Sequence, residues 1–294
     1  MMKKWSGKSR GTLLGYKIFV FCIRNFGVRA AYFVLYLVAA YYFLFLHATN
    51  RAIFYYLRNR LGYSQWKSTV SVYKSYLIFG KTIIDKTAIS AGLRDRFTYE
   101  FDGVENLKKM MADKKGGVLI SAHIGNFEIA EKFFEEIDFD YQINLVTTDQ
   151  EHSVIKEYLE SVATRKSSVK FIFIREDMSH IFDINRALAA NELICFTGDR
   201  YFEGSKYLEH EFLGKNAKFP AGPFLIASRL NVPVALVYVM KEPQLHYHLY
   251  ARFAPVKHRD AQGLLASYTH NLEQMLAKYP LQWFNYFDFW DDLD

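Results

Sequence analysis

A histidine and a carboxylate lie five residues apart in the stretch SAHIGNFEIA, residues 121–130. His123 follows an apolar run at 118–120 that is typical of a buried strand, and Glu128 falls in the first turn of a predicted helix. A carboxylate placed there can hold one imidazole nitrogen and leave the other to act as a base. The spacing is also compatible with a hydrogen-bonded histidine beside a capped helix, because H-x4-E occurs often by chance.

Gly125 and Asn126 lie between these two residues and suggest how the backbone is arranged. Glycine permits a tight turn or a close approach to a ligand, and asparagine is a favoured first residue of a helix. Backbone N–H groups at such a helix start can stabilise a developing oxyanion. We therefore expect Gly125 and Asn126 to bind an oxyanion or to position the histidine.

The elements that must position these residues alternate between strand and helix. Residues 51–92 are expected to be helical, and residues 198–218 to form a polar loop. Repeated strand-then-helix units predict an α/β fold with a mostly parallel sheet flanked by helices. Strands are predicted at 97–101, 118–122, 143–148, 169–174, 193–197, 234–240 and 246–253, and helices at 104–112, 126–136, 152–164, 179–190, 219–230 and 260–278.

The N-terminal region contains an uncharged run, AAYFVLYLVAAYYFLFL, at residues 30–46. A membrane-spanning helix needs about 17–25 apolar residues, so this run is at the lower limit. Basic residues flank it on both sides, which leaves orientation and the choice between a spanning and a monotopic helix open. We expect residues 1–50 to form a basic arm with a membrane-associated helix, and residues 51–294 to form one catalytic domain.

Composition and net charge limit the classes of molecule that the protein is expected to bind. The net charge of +6 suits anionic lipids, phosphorylated substrates or an acidic protein, and 17% aromatic residues suit a membrane surface. The chain lacks zinc-finger spacing and RNA-binding signatures, which argues against nucleic acid. Cys22 and Cys195 give no disulfide framework, and His246 and His248 lack a third ligand, so no metal site is predicted.

Three stretches resemble one known family. Residues 103–128, GVENLKKMMADKKGGVLISAHIGNFE, resemble the bacterial lipid A secondary acyltransferases, the lauroyl and myristoyl transferases of lipopolysaccharide synthesis. These belong to the lysophospholipid acyltransferase superfamily, whose first motif is H-x4-D/E. The resemblance, which covers roughly residues 15–290, implies that His123 is the base and Glu128 its partner.

The other two stretches bear on the substrate. FTGDR, residues 196–200, stands where glycerol-phosphate acyltransferases carry P-E-G-T-R; Gly198 and Arg200 match, whereas Thr197 replaces the glutamate. FPAGPFLIASRLNVPVALVYV, residues 219–239, is similar to the family's T-G helix and the V-P strand after it. We expect the substrate-binding residues to be Arg175, Asp199, Arg200, Lys218 and Gly222, with Arg200 pairing with a phosphate. Lys206, Lys215 and Lys218 could meet an acyl carrier protein, anionic lipid or only water.

The resemblance implies a membrane-associated acyltransferase at the cytoplasmic side of a bacterial inner membrane. It would move a fatty acyl chain from a thioester, acyl carrier protein or CoA, to a hydroxyl or amine of a lipid A precursor. We expect direct transfer in a ternary complex without a cofactor, because a thioester is already activated. The alternatives are an acyltransferase for a lysophospholipid, an amino-acid lipid or a polyene lipid, a hydrolase that uses the same residues on water, and a non-catalytic membrane-surface protein.

Overall fold

A computed structural model describes residues 13–134, 141–147, 169–201 and 204–291. Within these residues, seven strands form one sheet in the order β1-β9-β8-β2-β5-β3-β4. All neighbours are parallel except β8 and β9, which form an antiparallel hairpin. The strands are β1 (Thr98–Asp102), β2 (Gly117–Ser121), β3 (Ile143–Thr147), β4 (Lys170–Phe173), β5 (Leu193–Thr197), β8 (Val234–Glu242) and β9 (His246–Ala254), and a separate hairpin consists of β6 (Tyr207–Phe212) and β7 (Lys215–Pro220).

Helices cover both faces of the sheet. They are α1 (Leu13–Phe26), α2 (Val28–Phe45), α3 (His47–Tyr55), α4 (Gln65–Ala88), α5 (Val104–Ala112), α6 (Ala130–Phe134), α7 (His180–Ala189), α8 (Ala221–Arg229) and α9 (Ala261–Lys278). A π-helical turn, Tyr56–Arg60, extends α3, and a second one, Ile89–Leu93, extends α4. The predicted α/β fold with a mostly parallel sheet is confirmed.

Alternation along β2 divides the core into two layers, because successive side chains of a strand point to opposite faces. Val118 and Ile120 pack in a cluster with α7, α8 and α9, whereas Leu119 packs in a second cluster with α5, α6 and the N-terminal helices. All five residues of β2 are buried, as expected for a central parallel strand. The sheet is therefore sandwiched between helices, with β2 and β5 near its middle.

The predicted polar loop at 198–218 was wrong in one respect, because it contains the β6–β7 hairpin. Charged side chains on the outer face hide the alternation of these strands. The inner face contributes Phe212, Ala217 and Phe219 to the core. The helix predicted from residue 219 begins instead at Ala221, because Phe219 and Pro220 still pair with β6.

The helix predicted at 126–136 begins as a 3₁₀ turn, Phe127–Ile129, and continues as α6. The helix predicted at 152–164 lies outside the described residues.

The N-terminal helices pack on the rest of the protein along one side only. Ile23 of α1 and Leu35 of α2 are buried in the same cluster as Leu119 of the sheet. By length and composition, α2 is a helix that could cross a membrane, with a mean hydropathy of 1.7, but only 22% of its residues are buried inside the protein. A core helix of a soluble protein would be mostly buried, so the outer face of α2 is apolar and uncovered.

Candidate active site

The pairing of β2 with β5 brings two predicted site residues together. The two strands are parallel, with Ser121 opposite Thr197 at their carboxyl ends. His123 and Asp199 each follow two residues later, so they leave the sheet side by side. The carboxyl ends of parallel strands are where α/β proteins bind ligands. The site therefore begins at the centre of the sheet.

His123 and Asp199 form a hydrogen-bonded pair. The imidazole Nδ1 lies 2.7 Å from Oδ1 of Asp199, whose side chain is fully buried, while the His123 side chain keeps 27% exposure. The backbone N–H of His123 also donates to the same carboxylate, at 3.1 Å from each oxygen. Because Nδ1 faces the carboxylate, the proton of a neutral ring belongs there, which assigns Nε2 to the substrate side.

Both groups are held in the ionisation states that a base and its partner need. Burial and the nearby Arg200 charge lower the pKa of His123, and the opposing effect of Asp199 does not overcome them. Burial alone would raise the pKa of Asp199, but the charge and hydrogen bond of His123, the Arg200 charge and a Trp283 hydrogen bond lower it to about 2. At neutral pH, His123 is neutral and Asp199 is ionised.

The residues 122–126, which we call the histidine loop, are fixed by backbone hydrogen bonds. The N–H of Gly125 donates to the carbonyl of Gln282, and the N–H of Phe284 donates to the carbonyl of His123. Gly125 has a φ of +61°, and a Cβ there would lie 2.1 Å from the carbonyl oxygen of Val239. Only glycine fits this position, so the spacing of the motif reflects a close approach to β8.

Two details of this loop correct the expectations from sequence. The backbone N–H groups of Gly125 and Asn126 are already donated, to Gln282 and Val239 respectively, so this geometry favours positioning over oxyanion binding. The side chain of Asn126 does not cap the following turn. It is buried instead, and it donates to the carbonyl of Thr82 at 2.9 Å.

Glu128, the predicted partner of His123, lies in the 3₁₀ turn Phe127–Ile129. Its side chain is outside the part of the chain that the structure describes, so its role stays a prediction. The carboxylate on Nδ1 belongs to Asp199, which sequence reasoning had placed in the site as a substrate-binding residue.

The C-terminal segment supplies contacts that the sequence did not reveal. Trp283 is buried and donates from Nε1 to Oδ2 of Asp199 at 3.1 Å, and it forms an isolated bridge with Ile124 in the histidine loop. The sequence signal for this segment was its density of aromatic residues, QWFNYFDFW at 282–290. Aromatic composition alone does not say which ring reaches a carboxylate, because most such rings simply fill a core.

Arg200 lies beside the pair and also binds this segment. One guanidinium nitrogen donates to the carbonyl of Phe284 at 2.6 Å, and the group lies over the ring of Phe287 at 5.8 Å. Burial lowers the pKa of Arg200 to about 10, a value that still leaves the group charged at neutral pH. A substrate phosphate that pairs with Arg200 therefore has to use the other nitrogens of the guanidinium group.

The other three predicted substrate-binding residues lie on other elements of the fold. Arg175 follows β4, three strands from β2 in the sheet, and its guanidinium contacts Ser179 at 3.1 Å. Lys218 is in β7, with its ammonium 3.1 Å from Asp291. Gly222 is exposed in the first turn of α8, where a side chain would meet open space.

Cys195 and the two histidines of β9 lie in structural contacts. Cys195 is buried within β5, and burial raises the pKa of its thiol to about 12, so it is a poor nucleophile. In the part of the chain that is described, no group of three His, Cys, Asp or Glu side chains could hold a metal ion. His246 contacts Thr98 at 2.8 Å, and His248 stacks on Tyr250.

A buried carboxylate that orients a partly exposed histidine is an arrangement suited to general-base catalysis. Comparison with known proteins identifies the family of the chain. The sequence model of the bacterial lipid A biosynthesis acyltransferases matches residues 14–290, which is nearly the whole chain. Among curated proteins, no match to the chain was found. The match includes the histidine loop, the strands that place it and the C-terminal segment that holds it, and the chain belongs to the family of bacterial lipid A biosynthesis acyltransferases.

Proposed function

We propose that this acyltransferase moves a fatty acyl chain from a thioester to a hydroxyl or amine of a lipid A precursor, with His123 as the general base. The observation that carries the proposal is the His123–Asp199 pair at the ends of β2 and β5, 2.7 Å apart, in a chain of this family. A buried carboxylate on Nδ1 fixes the tautomer that a base requires.

The reaction follows from this arrangement. Nε2 of His123 accepts the proton of the acceptor hydroxyl as its oxygen attacks the thioester carbonyl. The new C–O bond forms, the C–S bond breaks, and the imidazolium returns its proton to the departing thiolate. Asp199, whose pKa is about 2, stays ionised and stabilises the imidazolium. A base positioned in this way accelerates proton transfer about 10²–10⁴-fold.

The thioester donor is proposed to be acyl carrier protein, with acyl-CoA as the alternative co-substrate and no other cofactor. Acyl carrier protein is acidic, and the protein has a net charge of +6. Lys206 is exposed just before the hairpin, Lys215 is in β7, and Lys218 is partly neutralised by Asp291. Binding of the donor or acceptor by Arg175, Asp199, Arg200, Lys218 and Gly222 remains part of the proposal.

The membrane is the proposed location of the acceptor, and the packing of α2 supports a helix that lies within one leaflet. Phe33 and Leu37 are 74% and 72% exposed on its outer face. The inner face holds Tyr32, whose hydroxyl donates to the buried carboxylate of Asp85 on α4 at 2.5 Å. A spanning α2 surrounded by lipid would have to leave α4 and break this hydrogen bond, so contact with lipid through the outer face alone is favoured.

Neighbouring exposed residues extend this apolar surface along α1 and α2. They are Leu14, Ile18, Phe21, Phe26, Tyr41, Leu44 and Phe45. A patch of this kind on a protein of positive net charge suits the cytoplasmic leaflet of a bacterial inner membrane, which carries anionic lipids. The catalytic site would then lie beside the surface at which a lipid acceptor is presented.

Lipid mass spectrometry of cells with and without the gene tests the proposal. Deletion is expected to remove one acyl chain from a lipid A species, and the intact gene should restore it. His123→Ala should fail to restore it. His258→Ala should succeed, because His258 is exposed and follows the end of β9 that lies at the opposite edge of the sheet from His123. If deletion changes another lipid class instead, that lipid and not a lipid A precursor is the acceptor. If the lipids are unchanged and only free fatty acid differs, the protein is a hydrolase.

A further inference from the structure

A second charged pair is buried in the core near the histidine loop. Asp85 of α4 has no exposure, and the side chain of Lys241 in β8 is 8% exposed. The Lys241 ammonium lies 2.7 Å from Oδ2 of Asp85. Removing two charges from water is costly, and packed apolar residues often stabilise a fold as well as a buried ion pair does. A role beyond stability would explain why the pair is there.

One path from this pair reaches the histidine loop through a tyrosine. The hydroxyl of Tyr247 donates to Oδ2 of Asp85 at 2.6 Å. The same hydroxyl accepts a hydrogen bond from the side chain of Asn126 at 3.4 Å. Tyr247 is completely buried, and Asn126 is 7% exposed. The ion pair is therefore connected to the last residue of the loop.

A second path runs from the backbone of Lys241. Its N–H and C=O bind the side-chain amide of Gln282 at 2.9 and 2.6 Å. The carbonyl of Gln282 accepts the N–H of Gly125 at 3.0 Å. The next residue, Trp283, donates to Asp199. The first path thus ends on Asn126, and the second ends on Gly125 and on the carboxylate that orients His123.

We propose that the Asp85–Lys241 pair positions the histidine loop through Tyr247 and Gln282, and thereby sets the turnover of the enzyme. Asp85, Lys241, Tyr247 and Gln282 are positioning residues, since they act on the reaction through His123. A charged cluster held by an ion pair and two tyrosine hydrogen bonds is stiffer than apolar packing. A misplacement of about 1 Å in a catalytic group can cost on the order of 10²-fold in rate. The effect on turnover rests on the proposed function of His123.

A matched pair of substitutions tests this role. Tyr32 and Tyr247 each donate a hydroxyl to Asp85, but only Tyr247 also contacts Asn126. Tyr247→Phe should lower kcat about 2–10-fold with KM for the acyl donor unchanged, as expected for one hydrogen bond. Tyr32→Phe should leave kcat at the wild-type value, because it removes only the bond to Oδ1 of Asp85, while Lys241 and Tyr247 still bind Oδ2.

Imidazole NMR of His123 supplies a readout that does not depend on turnover. The His123 signal, identified by its loss in His123→Ala, should shift in Tyr247→Phe and stay in place in Tyr32→Phe. The proposal is overturned if the signal and kcat of folded Tyr247→Phe match the wild type, or if Tyr32→Phe lowers kcat equally. If His123→Ala keeps full turnover, the proposed function fails, while the NMR comparison still decides whether the loop is positioned by Tyr247.

The charged pair itself is tested by a double-mutant cycle. Asp85→Asn and Lys241→Met each leave one polar partner uncompensated, and each should lower kcat about tenfold or more. The double variant Asp85→Asn/Lys241→Met removes both charges and is expected to fold even where a single variant does not. Because the stiff pair is gone, its His123 signal should remain shifted and its kcat low. A folded double variant with wild-type kcat and His123 signal would refute the positioning role.

Discussion

Replacement of Asp199 by asparagine removes the charge and one acceptor while keeping the shape of the side chain. The carboxylate accepts the backbone N–H and Nδ1 of His123 and Nε1 of Trp283. An amide has one oxygen, so its NH₂ group must face either Nδ1 or Trp283. If it faces Nδ1, the imidazole is driven to the wrong tautomer. If it faces Trp283, two donors oppose each other in the core.

Both arrangements reduce activity, and the second also reduces stability. Without the charge, the imidazolium is no longer stabilised, so kcat should fall by about 10²–10⁴-fold, which is the contribution of a positioned base. An unsatisfied buried donor such as Trp283 costs about 1–3 kcal/mol of unfolding free energy. Because the charge of Asp199 raises the pKa of His123, its loss should also move the acid limb of the pH profile to lower pH.

The assay uses purified enzyme in detergent micelles, with acyl-thioester donor and lipid acceptor, and quantifies acylated product by mass spectrometry from pH 4 to pH 9. Asp113→Asn serves as the matched control, because Asp113 is exposed after α5 and should keep wild-type kcat. A folded Asp199→Asn enzyme with kcat within about tenfold of the wild type and an unshifted acid limb would refute the assignment of Asp199 as the orienting carboxylate.

Three further predictions follow from the same contacts. Arg200→Met should move the acid limb of the pH profile to higher pH, because Arg200 lowers the pKa of His123 and activity is lost as the pH falls through that pKa. A pH profile of kcat/KM measures this shift, and an acid limb that is unshifted or lies at lower pH contradicts the prediction. The double variant Phe33→Lys/Leu37→Lys should release the protein from anionic liposomes in flotation assays. Phe182→Lys is the control, because Phe182 is 79% exposed on α7 and should not affect binding. Equal retention of the two variants would contradict membrane binding through α2. Cys195→Ala should keep kcat within about threefold, because the mechanism has no acyl-enzyme; loss of transfer in a folded variant would reopen covalent catalysis.

Much of the sheet was predictable because its strands are buried and strongly apolar. The boundaries of β5 and α5 were predicted without error, and β2 was displaced by one residue. These elements follow periodicities of two and 3.6 residues that a single sequence displays. The β6–β7 hairpin was missed because half of each strand is solvated, so charged residues interrupt the apolar signal.

The sequence predicted which residues belong to the candidate site, but not that Asp199 is the carboxylate on His123. His123 and Asp199 are 76 residues apart in sequence, and only the register of β2 against β5 makes them neighbours. Nearness in sequence favoured Glu128 as the partner. Trp283 lies still farther along the chain, and its contact with Asp199 depends on how the C-terminal segment crosses the histidine loop. Such long-range contacts leave no periodic signal in a sequence.

The most direct test of general-base acyl transfer by His123 is a product measurement on the purified enzyme. Acyl-carrier-protein thioester and a lipid A precursor are incubated with wild type, His123→Ala and the exposed control His258→Ala, and acylated lipid and free fatty acid are both quantified. The account predicts acylated lipid as the main product of wild type and His258→Ala, and a loss of about 10²-fold or more in His123→Ala. Acylation by His123→Ala at more than about a tenth of the wild-type rate would contradict a base at His123, and free fatty acid as the main wild-type product would contradict acyl transfer.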